Sequence, residues 1–386
     1  IPVKNFPSKR NAAAGVSPLM SIVLLLAASA AFATDLDRAA RHHIIVDSDT
    51  LNEPRDVFIG LPNSYEHLPE ARYPVLFVLD AHSEFEHANA LVRYLAEGAS
   101  LIPEFIVVGV VPIGRGDELR PTAPTNGETN VREVQFRQFL TDELSPRIDA
   151  QFRTHPYRVV FGHSLAGLFV LNTLRESPGS YNAYVASSPA LWWQEGDFVP
   201  KFAESFGNLD NSGKTLVVAT EGGQRSGTVA TLELLSLLED LDPADLTVFH
   251  NAFDKEEHGT VAPVSLYWSI RKVFDGWSPD INVYRKGLPA LLEHYETLSK
   301  RYGWNVEIPL DSLSSLVFDF ARRGEPGDAE KVREIVEYVV VKRDSNADEF
   351  VEMVAALKLR GLIEAADLVR EALCAVSSDI DSCAAL

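Results

Sequence analysis

Arg158-Val159-Val160-Phe161-Gly162-His163-Ser164-Leu165-Ala166-Gly167-Leu168-Phe169-Val170 is the stretch that decides the fold. A short apolar β-run ends at Gly162 and a helix-compatible apolar run begins behind Ser164, which puts the serine at the tip of a strand-to-helix turn. That is the layout of a nucleophile elbow, G-x-S-x-G, in which small residues let the turn close and expose the serine oxygen. The helix N-terminus behind Ser164 favours negative charge developing on that oxygen and on its substrate. The second glycine of the motif is Ala166 here; a methyl group still fits where helix packs on strand, and Gly167 follows at once.

Working outward, Pro74-Val75-Leu76-Phe77-Val78-Leu79-Asp80 is a continuous apolar run, as expected of a strand buried on both faces of a parallel sheet. Residues 44–50 and 57–61 are β-branched runs bounded by polar residues and proline, consistent with two early strands and a hairpin. Residues 85–96 have helical spacing, 105–111 form another buried-strand run, and 135–152 read as an amphipathic helix interrupted at Pro146. Downstream, 184–186, 215–219 and 246–249 are strand-like, with a helix at 228–241. Strands alternating with helices imply an α/β fold with a doubly wound, mostly parallel sheet, whose active site lies at the strands' carboxyl ends.

Chain order then constrains the partners of Ser164, because in this architecture the triad runs serine, acid, histidine. Only His250, His258 and His294 follow the serine. His250 closes a strand and His294 sits on a helix in the C-terminal tail, both usual settings for structural histidines. His258 lies in a loop after the last strand and precedes Gly259, so it is the candidate general base. For the acid, the strand ending at Thr220-Glu221-Gly222-Gly223 places Glu221 at a carboxyl edge. Asp254, Glu256 and Glu257 are its rivals, although their closeness to His258 in sequence makes the far ring nitrogen hard to reach. An oxyanion hole needs two backbone N–H groups. Leu165 supplies one by following the nucleophile, and the loop after the 75–79 strand supplies the other, with His82 the candidate.

Several blocks occurring in order carry more weight than one elbow. Tyr73-Pro74-Val75-Leu76-Phe77-Val78-Leu79-Asp80-Ala81, Val108-Gly109-Val110 with Arg115, Asp117, Leu119 and Pro121-Thr122, Tyr157-Arg158 before Gly162-His163-Ser164-Leu165, Ser188-Pro189-Ala190-Leu191-Trp192-Trp193, and Glu257-His258-Gly259-Thr260-Val261 together resemble the putative esterase family. This is the α/β-hydrolase group that includes enterochelin and other siderophore esterases, feruloyl esterases, S-formylglutathione hydrolase and mycolyltransferases. The resemblance runs from about Arg55 to Phe274. It implies Ser164 as nucleophile, His258 as base and a carboxylate near Glu221, in agreement with the topological argument. Ala81 stands where the family commonly has glycine. Arg115 and the pair Trp192-Trp193 are candidates for a substrate wall, set against a solvated charge for the arginine and core packing for one tryptophan.

The chain has 386 residues, 46% of them hydrophobic, enough for one large domain and a smaller one. A formal charge of -20 leaves no basic surface to neutralise phosphates, which excludes nucleic acid as an expected partner and disfavours anionic membrane surfaces. Lys4, Lys9 and Arg10 precede a short apolar run, Leu19 to Ala31, followed by the small-x-small pattern Ala31-Phe32-Ala33. The expectation is an export signal over 1–33, a mature start near Thr34 and a periplasmic or secreted protein. About a dozen apolar residues are too few for a membrane anchor, so no membrane insertion is expected after cleavage. The two cysteines, Cys374 and Cys383, can pair in an oxidising compartment or remain as buried thiols.

From Gly287 the character changes. Residues 288–298, 310–323, 329–341, 347–358 and 363–375 carry helical patterns with short connections. Arg323-Gly324 with Asp328-Ala329, and Arg360-Gly361 with Glu364-Ala365, recur at about the spacing of one tetratricopeptide unit. Family members carry similar tails, opening with a segment like His294-Tyr295-Glu296-Thr297-Leu298-Ser299-Lys300-Arg301-Tyr302-Gly303, so the expected division is a hydrolase unit over 34–286 and a tetratricopeptide-like extension over 287–386. The extension is suited to capping the site, pairing protomers, recruiting a partner or simple stabilising packing. The expected activity is that of a serine carboxylic ester hydrolase acting on a small-molecule ester without cofactor or metal. The alternatives are an acyltransferase with the same triad and a binding protein working through the tail.

Overall fold

The computed structural model describes residues 41–122, 129–193, 197–206, 213–222, 226–241, 246–342 and 348–376. The expected export signal, Gly223 and Cys383 lie outside the described residues.

Eight strands form one sheet in the order β1-β2-β4-β3-β5-β6-β7-β8. Their ranges are β1 Arg41–Ser48, β2 Glu53–Gly60, β3 Tyr73–Leu79, β4 Ile106–Val110, β5 Thr154–His163, β6 Ala183–Ser187, β7 Lys214–Glu221 and β8 Leu246–Phe253. The first two form the expected antiparallel hairpin, β2 also pairs antiparallel with β4, and β3 to β8 are all parallel to one another, so β2 alone runs against the rest. Both hairpin strands begin three or four residues earlier than the apolar runs suggest. Pro54 at the start of β2 pairs with Asp47, and proline is tolerated at a strand's first positions.

Every residue of β3 is buried, which is why the run reads as uninterrupted apolar sequence. Its side chains alternate between two cores: Val75, Phe77 and Leu79 face one, Leu76 and Val78 the other. The first core is closed by helices α3 (Val131–Gln138), α4 (Ser145–Gln151), α5 (Leu165–Glu176), α6 (Phe198–Phe206) and α7 (Ser226–Leu241), through residues such as Phe136, Ile148, Phe169, Phe202 and Leu234. The second is closed by α1 (Ala81–Arg93) and α8 (Val261–Val273), through Phe85, Val92, Leu266 and Ile270. Each such side chain contributes about 1.5 to 3 kcal/mol on burial, so the sheet is held from both sides.

The helical stretch before β5 differs from expectation in two ways. It begins at Val131, because the Asn130 side chain accepts a hydrogen bond from the Arg132 N–H and caps the helix. Nor does Pro146 interrupt it: the chain takes one wide turn over Phe139–Leu144 and re-enters α-helix at Ser145. That turn absorbs the missing proline N–H, and the Ser145 hydroxyl donates to Leu140 O at 2.8 Å. A short helix, α2 (Arg115–Leu119), together with α6, was not legible in the loops that carry them.

The C-terminal region is helical as expected, with α9 (Ile281–Lys286), α10 (Leu288–Tyr302), α11 (Leu310–Arg323), α12 (Asp328–Glu337), α13 (Asp348–Leu359) and α14 (Ile363–Val376). The recurring arginine-glycine pairs fall at the two helix-to-helix joints, α11 to α12 and α13 to α14, where Gly324 and Gly361 take φ of 65° and 73°. These helices do not make a core of their own. Leu291, Tyr295 and Tyr302 of α10 belong to the same apolar cluster as Val159 and Phe161 of β5. Tyr302 packs edge-on to Tyr157 with ring centres 5.5 Å apart, Trp304 stacks on His155 at 5.1 Å, and the Tyr302 hydroxyl donates to Val273 O at 3.2 Å. Cys374 lies on α14. Among the described residues no helix is long and apolar enough to cross a membrane.

Candidate active site

β5 delivers Ser164 at φ 60°, ψ -116°, a conformation that L-residues avoid unless their surroundings impose it. The imposition is visible. Ser164 N–H donates to Ser187 O at 2.9 Å, and its carbonyl accepts from Leu168 N–H and Ala190 N–H, each at 3.0 Å. A Cβ on Gly162 would come within 2.3 Å of Ala166 O, so only glycine fits there. The same contact explains the departure from the motif: the Ala166 methyl occupies space that the absent side chain of Gly162 leaves open. Gly167 faces Ser187 O and the Pro189 backbone, where a Cβ would sit at 3.0 Å and 3.1 Å.

The turn before α8 carries His258, whose Nε2 stands 3.0 Å from Ser164 Oγ. Behind it, Nδ1 faces Glu221 Oε1 at 3.3 Å and Ser188 Oγ at 3.0 Å, and the Ser188 hydroxyl also hydrogen-bonds Glu221 Oε2. Glu221 ends β7, and the next residue fixes its position relative to the histidine loop. Gly222 N–H donates to Phe253 O at 3.0 Å, and a Cβ there would lie 2.3 Å from Asp254 Cα. The structure thus brings together Ser164, His258 and Glu221. Of the rival acids, Asp254 and Glu257 are exposed and Glu256 is half-buried. His294 lies away from the serine and donates its Nε2–H to Gly276 O at 2.9 Å. His250 is half-buried in β8, and burial lowers its pKa.

Burial raises the Glu221 carboxyl pKa, but the Ser188 hydroxyl, its own backbone N–H and the His258 charge outweigh that effect, so the net shift is downward. Glu221 therefore stays ionised through the pH range in which an imidazole can accept a proton. His163, the middle residue of Gly-His-Ser, lies with its ring 4.7 Å from that of His258. Burial holds its pKa below the ordinary value, with the His258 charge adding to the effect and Glu84 opposing it. A neutral His163 adds no positive charge beside His258. Glu84 itself pairs with His87 at 2.7 Å.

Leu165 opens α5 and His82 is the second residue of α1. N–H groups in a helix's first turn have no intrahelical acceptor, so both are available to a developing oxyanion. In α1 the Ser83 and Glu84 N–H groups are taken by Asp80 O, at 3.0 Å and 3.1 Å. Asp80 holds φ 54° at the strand-to-helix turn, and its carboxylate is gripped by Arg115 through Nε at 2.9 Å to each oxygen. His82, Glu84, Val111, Pro112, Arg115 and His163 line a cleft of about 330 Å³ beside the elbow.

Arg115 thus lines this cleft with its charge already paired. The two tryptophans part company. Trp193 packs against the core with the Arg120 guanidinium 4.4 Å above its ring, and Trp192 is 50% exposed. Sequence reasoning missed two features. Ser188 was visible only as part of a motif block, and its role depends on what β7 places beside it. Arg55, wholly buried, pairs with Glu118, which also accepts from Ile113 N–H at 3.0 Å and so anchors the loop that carries Arg115. Among the described residues no group of three or more His, Cys, Asp or Glu is arranged to hold a metal ion.

Residues 48–236 match the family model described as "Putative esterase". The ferri-bacillibactin esterase BesA of Bacillus subtilis (strain 168) is 30% identical over 187 residues, which are 43% of this chain and 63% of that protein. The siderophore triacetylfusarinine C esterase of Aspergillus fumigatus is 35% identical over 155 residues, 36% of this chain and 53% of that protein. The chain thus spans less than two thirds of the length of either curated relative. Among solved structures, an IroE-like serine hydrolase from Shewanella oneidensis matches with a TM-score of 0.66 at 25% identity, covering 76% of this chain and 98% of the other.

Proposed function

From the membership of residues 48–236 in the putative esterase family, we propose that the protein is a serine carboxylic ester hydrolase that works through Ser164, His258 and Glu221. The observation that carries this reading is the 3.0 Å approach of His258 Nε2 to Ser164 Oγ with an ionised Glu221 behind Nδ1. His258 takes the hydroxyl proton as Ser164 Oγ attacks the ester carbonyl, and the N–H groups of Leu165 and His82 receive the negative charge on the carbonyl oxygen. Glu221 stabilises the imidazolium and holds its orientation. The proton then passes to the departing alcohol, and water, activated by the same histidine, releases the acid from the acyl-enzyme.

Both curated relatives are named for the hydrolysis of siderophore esters, which makes this the substrate class of the proposal. The exposed Trp192 and the Arg115 side of the cleft supply an aromatic face and a polar wall for such a ligand. The export-like segment over 1–33 supports a periplasmic or secreted site of action.

The test is hydrolysis of p-nitrophenyl acetate and of a siderophore triester by wild type and Ser164→Ala. The proposal expects both esters to be cleaved by wild type and the variant to lose on the order of 10⁶-fold in kcat. Retention of wild-type rates by the variant would overturn it.

A further inference from the structure

Among the described residues, three of the five non-glycine residues with positive φ stand after neighbouring strands of the sheet: Asp80 (φ 54°) after β3, Ser164 (φ 60°) after β5 and Ser188 (φ 42°) after β6. Such conformations persist only where the surroundings over-determine them, and they gather at functional sites. Asp80 begins the oxyanion turn and Ser164 is the nucleophile; the mechanism above gives Ser188 nothing to do. Yet Ser188 is only 6% exposed, and its N–H donates to Ala219 O at 2.6 Å, on the strand that ends in Glu221. Two residues on, Ala190 N–H grips Ser164 O. The turn that holds the nucleophile's backbone is therefore the turn that presents the Ser188 hydroxyl.

That hydroxyl has one proton and accepting lone pairs. It touches Glu221 Oε2 on one side and lies 3.0 Å from His258 Nδ1 on the other, nearer than the 3.3 Å from Nδ1 to Glu221 Oε1. An ionised carboxylate can only accept, so the serine proton goes to Glu221. Its lone pair is left facing Nδ1, which must then carry the ring hydrogen. Nε2 is consequently the unprotonated nitrogen, the one that faces Ser164 Oγ. We infer that Ser188 is a positioning residue of the triad, its hydroxyl bridging Glu221 to His258 and holding the histidine in the tautomer that a general base requires. This inference rests on the Ser164, His258 and Glu221 reading.

The experiment compares wild type with Ser188→Ala and Ser188→Gly. Both variants lack the hydroxyl, but glycine accepts the left-handed backbone without strain. Both are expected to lose about 10- to 100-fold in kcat, the scale of one hydrogen bond to a charged group, with little change in KM. The readout independent of turnover is the proton spectrum of ¹⁵N-histidine-labelled protein. The His258 Nδ1–H resonance, identified by its absence in His258→Gln, is expected to move upfield and to exchange faster in both Ser188 variants. A Ser188→Gly protein with wild-type kcat would overturn the inference, as would an Nδ1–H resonance unchanged by either substitution. Failure of the underlying triad reading has a separate signature, full activity in Ser164→Ala, and leaves the resonance test of Ser188 standing.

Discussion

The two ends of β5 are built on opposite principles. At its carboxyl end, Gly162, His163 and Ser164 form a strained, polar turn gripped by hydrogen bonds from neighbouring strands. At its amino end, His155 stacks on Trp304, and Tyr157 packs among Phe274, Tyr302 and Trp304. Seven residue steps of extended chain, roughly 23 Å, separate Tyr157 from Ser164. Strain is concentrated where chemistry is proposed, and apolar burial where the helical extension docks. The ring contacts of Tyr302 and Trp304 with β5 all lie at its amino end, which favours a packing role for the start of the extension over capping the site.

If the division is real, substitutions at the two ends should separate activity from stability. The largest effect belongs to the carboxyl edge: His258→Gln should lower kcat for p-nitrophenyl acetate by on the order of 10⁴- to 10⁶-fold while leaving the thermal midpoint within a few degrees of wild type. Next comes the amino edge. Tyr302→Ala should remove about 3 to 5 kcal/mol from urea unfolding, yet leave kcat per folded molecule unchanged. A fall in kcat at intact stability would show that the extension acts on the site and would break the comparison.

The two edges should also titrate differently. Burial, reinforced by Arg72, lowers the pKa of His155 from its model-compound value of 6.5. The folded state therefore prefers the neutral ring, and this contribution to stability is complete above the unfolded value of 6.5 and is lost as pH falls from there through the folded pKa. Glu221 is also lowered, from 4.5, so its contribution is complete above that value and is lost as pH falls further. Thermal midpoints measured across pH should show His155→Phe flattening the upper region and Glu221→Gln the lower one. An unaltered upper region in His155→Phe would remove the histidine from the dock. The smallest effect is expected for Ala166→Gly, which restores the usual elbow glycine. Because Gly162 already makes room for the methyl, activity should change less than about threefold, with stability falling by about 1 kcal/mol from the helix propensity of glycine.

Much of this was legible in the sequence because it is local. The β3 run, the strand-turn-helix around Ser164 and the 310–323 helix announce themselves through continuous burial, small residues at a turn or apolar periodicity. Chain order pointed to His258 as the candidate base, and the end of the 215–219 strand to Glu221 as the candidate acid ahead of Asp254, Glu256 and Glu257, since parallel strands deliver their ends to one edge. What stayed hidden depends on distant partners. Arg55 looks like a surface charge until Glu118, 63 residues away, meets it in the interior. Ser188 acquires its contacts only when β6 and β7 lie side by side, and its positive φ leaves no mark on composition. The Val131 helix start was missed because an Asn130 cap within a polar stretch carries no periodicity.

The most direct test of the account is covalent labelling. The folded protein would be treated with a fluorophosphonate at neutral pH, digested and mapped by mass spectrometry, alongside His258→Gln. The account predicts a single adduct on Ser164, formed at least a hundredfold more slowly in the variant, since general-base assistance supplies about 10²- to 10⁴-fold. An adduct on another residue, or equal labelling of Ser164 without His258, would contradict it.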